Sequence, residues 1–199
     1  MLFRNILSSL ILTLLCTLGH AEHYEEGEVA YKARDYALAI KMFTLGAISG
    51  NYFSLQKLGI MKNRGEGNSN DIKNSFEKLK ASAVVGNVDA QLMIGMAYKN
   101  ANIVASNCKE GVRWLKLAAS NGNEVAQQNL GTLYFEGECI PKNYIYGYMW
   151  SSLSVAQTGT EIFKRILDGY AVNKMTREQV SEAQRLASVC YINNYKNCN

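Results

Sequence analysis

Histidine, proline and charge are scarce in this chain of 199 residues. It contains two histidines, His20 and His23, one proline, and 19 % charged residues against 48 % hydrophobic ones. Both histidines lie near the N-terminus, which removes most metal sites and every nucleophile that needs a histidine. The high hydrophobic content excludes a disordered chain, and the single proline excludes proline-rich linkers. The chain is long enough to build one sizeable hydrophobic core.

The excess of positive charge is small. The 21 Lys and Arg residues against 17 Asp and Glu give a formal net charge of +4, which is too little for a dedicated nucleic-acid-binding protein. The carboxylates Glu136 and Glu138 fall in a predicted hairpin turn, and we interpret them as solvated loop residues rather than a general acid–base pair. The sequence holds no phosphate-binding loop, nucleophile elbow or metal-ligand spacing. We therefore expect no catalytic residue, no metal and no cofactor.

Residues 1–21 have the layout of a cleaved secretory signal peptide. Arg4 supplies a positive charge, an apolar stretch runs from Ile6 to Leu18, and Gly19-His20-Ala21 offers small residues for a cut after Ala21. The apolar stretch is shorter than the about 20 residues that cross a bilayer, and no second one follows. We therefore predict a periplasmic or secreted mature chain without a membrane span.

Four of the five cysteines remain in that mature chain: Cys108, Cys139, Cys190 and Cys198. An even number in an exported protein favours disulfides over metal ligation. Three pairings are possible and the sequence does not choose among them, although we favour Cys108–Cys139 and Cys190–Cys198. The second pair needs a turn, because eight helical residues separate two Cα atoms by about 12 Å and a disulfide tolerates about 4.4–6.8 Å. Asn193-Asn194 is a plausible place for that turn.

An internal repeat of 36 residues organises the rest of the chain. Its phased positions are the pairs Gly50-Asn51, Gly86-Asn87 and Gly122-Asn123, the glycines Gly59, Gly95 and Gly131, and the tryptophans Trp114 and Trp150. A Gly-Asn pair ends one helix with a left-handed residue and caps the next. A glycine inside a helix costs about 1 kcal/mol relative to alanine, so its recurrence indicates close packing by a neighbouring helix. A weaker fourth copy starts at Gly159, shifted by one residue.

Each repeat is predicted to form a helical hairpin. The first helices are expected at about 52–64, 88–99 and 124–136, and the second helices at about 71–85, 108–121 and 143–157. Another hairpin is predicted within Glu25–Ser49, with Asp35 capping its second helix, and a Thr176/Gln179 capping box opens a helix that reaches about Tyr191. One hairpin cannot bury its apolar face, so the hairpins must stack. The expected fold is all-α, a right-handed α/α solenoid.

These motifs resemble the Sel1-like repeat family, a relative of the tetratricopeptide (TPR) repeats. The third unit fits best, with Gly122-Asn123, Ala126-Gln127, Leu130-Gly131, Tyr134, Gly137, Ile140-Pro141, Asn143-Tyr144 and Trp150. Cys139 stands where the family pattern has a second loop glycine, and the first unit has Lys78 in place of the tryptophan. The resemblance covers about residues 24–190. It implies a TPR-like capping hairpin at 22–50, about three repeats at 51–158, and C-terminal capping helices with a tail at 159–199.

The resemblance also implies a function. Sel1-like proteins generally scaffold complexes, so we expect a monomeric, non-enzymatic adaptor for a protein or peptide partner, in envelope function or host interaction. The first helices of such hairpins line the concave face. Positions seven, ten and fourteen after each unit glycine then form an expected exposed stripe: Lys57, Ile60, Arg64, Met93, Met96, Asn100, Asn129, Thr132 and Glu136. Burial of Met93 or Met96 is the competing interpretation.

An enzymatic function is the alternative. Cysteine-rich Sel1-like proteins of one bacterial group are described as penicillin-binding β-lactamases, which implies β-lactamase or cell-wall-fragment-binding activity. Those proteins carry a Cys-x7-Cys pair in each repeat, whereas this spacing occurs here once, at Cys190 and Cys198, outside the repeats. No serine–lysine nucleophile motif supports hydrolysis. A structural envelope component without a discrete ligand is the third possibility.

Overall fold

The computed structural model describes residues 22–101, 103–196 and 198, so the predicted signal peptide lies outside the described residues. Two compact units are present; the first ends at Ala105 and the second begins at Ser106. The first contains α1 (22–32), α2 (Tyr36–Ile48), α3 (Tyr52–Arg64), α4 (Ser69–Val84) and α5 (Val88–Asn100). The second contains α6 (Cys108–Ser120), α7 (Glu124–Glu136), α8 (Tyr144–Thr158), α9 (Glu161–Lys174) and α10 (Arg177–Ile192). No helix among the described residues has the length and hydropathy to cross a membrane.

The predicted Gly-Asn junctions are confirmed. Gly50, Gly86 and Gly122 have φ angles of +89°, +100° and +87°, in the left-handed region that glycine adopts readily. The next residue caps the following helix, because the side chains of Asn51, Asn87 and Asn123 accept hydrogen bonds from the backbone N–H groups of Ser54, Ala90 and Ala126. The helix predictions are correspondingly close; the largest difference is at α4, which begins at Ser69 rather than at 71.

The predicted helix ends outside the central repeats are confirmed as well. The Asp35 side chain accepts from the backbone N–H of Leu38 at the start of α2. Thr176 and Gln179 form a capping box that opens α10. Between α8 and α10 lies α9, whose bounds the repeat pattern does not predict. Its N-cap residue, Thr160, makes no side-chain cap hydrogen bond.

Within each unit a buried glutamine ties consecutive helices together. In the first unit Gln91 Nε2 donates to the Ala83 carbonyl at 3.1 Å; in the second, Gln127 Nε2 donates to the Ala119 carbonyl at 3.2 Å. Both glutamines are at most 2 % exposed. Each therefore ties a carbonyl near the end of one helix to the next first helix, and adds a second hydrogen bond to an acceptor that already receives the backbone N–H of Gly86 or Gly122. This pairing is the structural role of the Ala-Gln motif.

The core of each unit is built from the apolar faces of its own helices. In the first unit α2 packs against α3, α4 and α5, and α4 packs against α5. In the second unit α8 is the central helix and contacts α7, α9 and α10, while α6 packs against α7. The repeat-phased Trp114 and Trp150 are 3 % and 0 % exposed. They are core residues, as their repeat phase predicts.

Both favoured disulfides are present in the second unit. Cys108, at the start of α6, pairs with Cys139 in the loop after α7 across a Cα–Cα distance of 5.1 Å. Cys190, in α10, pairs with Cys198 in the tail across 5.0 Å. The predicted turn between the latter two is confirmed, since α10 ends at Ile192 and Asn194 has a φ of +50°. The favoured pairing is therefore confirmed.

The turned tail packs on the junction between α6 and α7. Lys196 Nζ donates to the Ser120 carbonyl at 2.9 Å and to Asn121 Oδ1 at 2.6 Å. A cation at the C-terminus of α6 also interacts favourably with the helix dipole. The Cys190–Cys198 disulfide therefore fixes a short segment against the second unit.

The two disulfides are expected to differ in their contribution to stability. Cross-linking restricts the unfolded chain more when the closed loop is longer. Replacing Cys108 and Cys139 with serine, a separation of 31 residues, is expected to lower the free energy of unfolding by about 3–4 kcal/mol. The same change at Cys190 and Cys198, a separation of 8, is expected to cost about 2–3 kcal/mol. Urea denaturation of the oxidised proteins measures both, and a larger loss at the tail pair would contradict this order.

The phased glycines are buried, and Gly131 shows why the position requires glycine. A Cβ atom there would meet Ser151 Oγ and would lie 3.0 Å from the Gly147 carbonyl oxygen and 3.1 Å from the Ser151 nitrogen. Two of these atoms belong to the α8 backbone, which cannot move aside as a flexible side chain can. The predicted close helix packing is confirmed at this position.

Gly131→Ala is therefore expected to lower the free energy of unfolding by about 1–3 kcal/mol, the usual cost of overpacking. Gly169→Ala is the matched control, because a Cβ atom at this helical glycine in α9 meets nothing within 4 Å. Alanine there is expected to raise stability by up to about 1 kcal/mol through helix propensity. Chemical denaturation compares the two variants, and equal effects would contradict the packing explanation.

Candidate partner-binding surfaces

The first unit places six residues of the expected stripe on α3 and α5. The predicted exposure of Met93 is wrong, since this residue is only 2 % exposed, and Met96 is half-buried. Burial, the competing interpretation, therefore holds for Met93. The physical reason is that α5 packs against α2, α3 and α4, so neighbouring helices cover most of its circumference. Asn100 at the end of α5 is exposed, as is Ile60 on α3.

Lys57 and Arg64, the basic residues of the stripe, belong to a polar cluster between α1 and α3. Lys57 Nζ lies 2.5 Å from Glu28 Oε1 and 5.1 Å from the centroid of the Tyr31 ring. Arg64 Nη1 donates to the Tyr31 hydroxyl at 3.0 Å, which in turn donates to Glu66 Oε2 at 2.7 Å. Both cations therefore already have partners within the unit.

Two protons in this polar cluster are held more tightly than usual. The hydrogen bond with Glu28 raises the pKa of Lys57 above its ordinary value of 10.5, although burial opposes the change. The hydrogen bond to Glu66 and then burial raise the pKa of Tyr31 above 10.0, against the effect of Arg64. Folding therefore favours the protonated form of both groups.

The stability contributed by this cluster is expected to depend on alkaline pH. A pKa that is raised by folding gives stabilisation that is complete below the ordinary value and is lost as the pH rises through the raised one. We expect the free energy of unfolding to decline from about pH 10 upward, and the combined variant Tyr31→Phe/Lys57→Met to reduce that decline. Denaturation between about pH 8 and 11.5 measures it.

The control for this pH series removes a different ion pair. Glu110→Gln/Arg113→Met eliminates the exposed contact on α6, where Arg113 Nη2 lies 2.9 Å from Glu110 Oε2. Exposed pairs of this kind contribute little. We expect the alkaline decline to be the same in this variant as in the wild type. An equal reduction in both variants would contradict a specific role for the cluster.

Asn100 takes part in a second polar contact between first helices. The Tyr52 hydroxyl accepts a hydrogen bond from Asn100 Nδ2 at 3.2 Å and another from Gln56 Nε2. This contact joins the start of α3 to the end of α5. In the first unit, three residues of the expected stripe, Lys57, Arg64 and Asn100, therefore make contacts within the unit. Ile60 is 38 % exposed.

In the second unit the stripe borders a cavity. Thr132 and Glu136 of α7 line a cavity of about 280 Å³ between α7, α8 and α9. Asn129 is not among the lining residues and donates instead to the Val125 carbonyl of its own helix at 2.8 Å. The complete lining is Gln128, Thr132, Phe135, Glu136, Ser151, Ser154, Phe163, Ile166, Leu167 and Tyr170. The structure therefore brings together two of the three stripe residues predicted on α7.

The cavity combines stacked aromatic rings with hydroxyl groups. The rings of Phe135 and Tyr170 lie parallel with their centroids 4.0 Å apart. Thr132 Oγ1 donates to the Gln128 carbonyl at 3.1 Å, which leaves its lone pairs available. Ser154 is 1 % exposed, and its Oγ has no hydrogen-bond partner among the described residues. A buried hydroxyl without a partner is costly, and this one lies behind the cavity surface, because its oxygen is not accessible to solvent.

Sequence reasoning missed the contribution of α9 to this cavity. Phe163, Ile166, Leu167 and Tyr170 follow the i, i+3, i+4, i+7 spacing of one helix face. The repeat phase did not reveal them, because the fourth copy is shifted by one residue. Helical periodicity on its own was the available signal.

Antiparallel helical hairpins that stack in sequence, capped at each Gly-Asn junction, define an α-solenoid repeat protein. The Sel1 repeat model matches residues 16–51, 88–123 and 125–158, which is more than half of the chain. The chain belongs to the Sel1 repeat family. The first match begins within the predicted signal peptide. The repeat that has Lys78 in place of tryptophan lies outside the matched residues.

One solved structure shows the same fold, and a second is more distantly similar. The first is c5321, a protective antigen present in uropathogenic Escherichia coli strains with an SLR fold: identity is 23 %, the TM-score is 0.61, and the match covers 90 % of this chain and 39 % of that one. The second is a Sel1 repeat protein from Oxalobacter formigenes, with 19 % identity, a TM-score of 0.49, and coverage of 78 % and 46 %. This chain therefore spans less than half the length of either. A search of curated proteins gave no match.

Proposed function

We propose that the mature chain is an exported, non-enzymatic scaffold that binds a protein or peptide partner on its first-helix surfaces. Sel1 repeats commonly act as scaffolds for protein interaction. The observation that carries the proposal is the cavity of the second unit, because Thr132 and Glu136, expected on a partner-binding surface from the repeat phase, line it. Ile60 is the corresponding exposed residue of the first unit.

Export is supported by the cysteine chemistry. Two disulfides in the second unit are typical of a protein that folds in an oxidising compartment. The layout of residues 1–21 supports the same route. The partner then belongs either to the bacterial envelope or to a host, and we propose a monomer as the binding form.

Rigidity is the mechanism by which such a scaffold gains affinity. The buried Gln127, the phased glycine contact and the Cys108–Cys139 disulfide hold α6, α7 and α8 in place before a partner arrives. Binding then loses little conformational entropy on the protein side, so most of the ordering cost falls on the partner.

Site-specific photo-crosslinking tests the proposal. A photoreactive residue is placed at Glu136 on α7 or at Ile60 on α3, both on first helices. The matched control positions are Arg113 on α6 and Glu77 on α4, which are exposed on second helices. We expect the oxidised chain to capture the same partner from envelope or host extracts through the first-helix positions and to give about tenfold less product through the controls.

The source of the captured protein separates an envelope role from a host role. Equal capture from all four positions would contradict a first-helix binding surface. Capture from the second-helix positions alone would place the partner elsewhere on the molecule. Thermal unfolding of each labelled chain confirms that it is folded.

A further inference from the structure

We infer that the cavity between α7, α8 and α9 binds an arginine side chain of the partner. This inference rests on the proposed scaffold function and specifies the chemistry that one part of the surface recognises. Four properties of the cavity carry it: its size, the sign of its charge, the character of its polar groups, and its aromatic lining.

The size of the cavity fits one long side chain. Its volume of about 280 Å³ lies just below the about 300–1,000 Å³ that enclose drug-sized molecules. A single residue that projects from an extended partner segment fills such a space. Anchors of this kind, seated in a pocket and ringed by weaker contacts, commonly dominate interface energetics, and arginine is enriched among them.

The polar lining is rich in acceptors. Glu136 is the only charged residue in the lining, and the polar groups beside it belong to Gln128, Thr132, Ser151 and Tyr170; the Ser154 hydroxyl is buried behind the surface. Glu136 is exposed, so its carboxylate is accessible at the cavity. Arginine carries five N–H donors and no acceptor, and each of these other polar side chains has an oxygen that can accept from it.

The aromatic lining distinguishes arginine from lysine. Phe135, Phe163 and Tyr170 line the cavity. Because Phe135 and Tyr170 already stack on each other, the half-buried Phe163 is the ring on which a guanidinium would stack. A planar guanidinium stacks on aromatic faces and pairs with a carboxylate through two hydrogen bonds, while an ammonium acts as a compact, strongly hydrated charge. The aliphatic stem of arginine in turn packs against Ile166 and Leu167. One side chain thus matches both halves of the lining.

A peptide selection tests the inference with the oxidised mature chain. The probes are peptides with one central position varied over all amino acids and with random flanking residues. We expect arginine to be enriched at the central position, and its replacement with lysine in the best peptide to raise the Kd about tenfold or more. Fluorescence anisotropy measures each Kd.

Two protein variants locate the binding at the cavity. Glu136→Gln removes the charge and is expected to raise the Kd of the arginine peptide about tenfold or more, as hydrogen bonds to charged groups commonly do. Its matched control is Glu138→Gln, an exposed carboxylate two residues away that does not line the cavity; it is expected to leave the Kd unchanged.

Direct titration completes the test. Backbone amide shifts on addition of N-acetyl-L-argininamide are expected at Thr132, Phe135, Ser154 and Tyr170, and weaker ones with N-acetyl-L-lysinamide. Selected peptides without arginine, or an arginine peptide insensitive to Glu136→Gln, would overturn this inference and leave the scaffold proposal standing. No enriched peptide and no amide shift would also overturn it, and the crosslinking experiment then decides the scaffold proposal separately.

Discussion

Contact between the backbones of α7 and α8 is the constraint on which the second unit depends. A side chain at Gly131 would run into the α8 backbone, so the two helices approach more closely than side chains normally allow. That approach buries Trp150 and Met149 completely and brings Ser151 and Ser154 of α8 beside Thr132 of α7. Thr132, Ser151 and Ser154 also line the cavity. The close contact between the α7 and α8 backbones therefore determines both the packing of the core and the position of residues that line the cavity.

Regular features of the fold were predictable because each has a local physical signature. A Gly-Asn pair predicts a helix end through backbone conformation and side-chain capping, both of which act within a few residues. This signal occurs at Gly50-Asn51, Gly86-Asn87 and Gly122-Asn123. The turn before Cys198 was predictable in a different way, because helix geometry forbids a disulfide to Cys190 unless the chain turns, although the pairing itself was one of three possibilities. These predictions needed no knowledge of distant contacts.

The exposed stripe was harder to predict, because exposure depends on how many neighbours cover a helix. Met93 occupies the same repeat position as Lys57 and Asn129, yet it is buried because three helices pack against α5. Lys57 is on the surface but is paired with Glu28 from α1, a residue outside the repeat register. A repeat phase reports orientation around one helix and carries no information about such partners.

Cys139 shows how a departure from the repeat pattern can be compensated. It occupies the position of a loop glycine and has a φ of +66°, a conformation that costs a residue with a side chain of order 1 kcal/mol or more. The disulfide to Cys108 anchors this residue to the start of α6. The loop therefore keeps the backbone conformation of glycine, while a covalent bond supplies the restraint that holds it.

The fourth repeat also departs from the pattern, but no disulfide compensates for its shift of one residue. The repeated glycine spacing keeps α7 and α8 in close contact, whereas α9 follows Gly159 one residue out of phase. Among the described residues of α9, Leu167 is the one that is buried. Three other side chains of α9, Phe163, Ile166 and Tyr170, line the cavity that α7 and α8 leave open. The helix that is out of phase with the repeat therefore supplies one wall of the cavity, and α7 contributes the exposed carboxylate of Glu136. The irregularity that weakens the repeat signal in the sequence thus lies at the site that the repeat phase alone does not reveal.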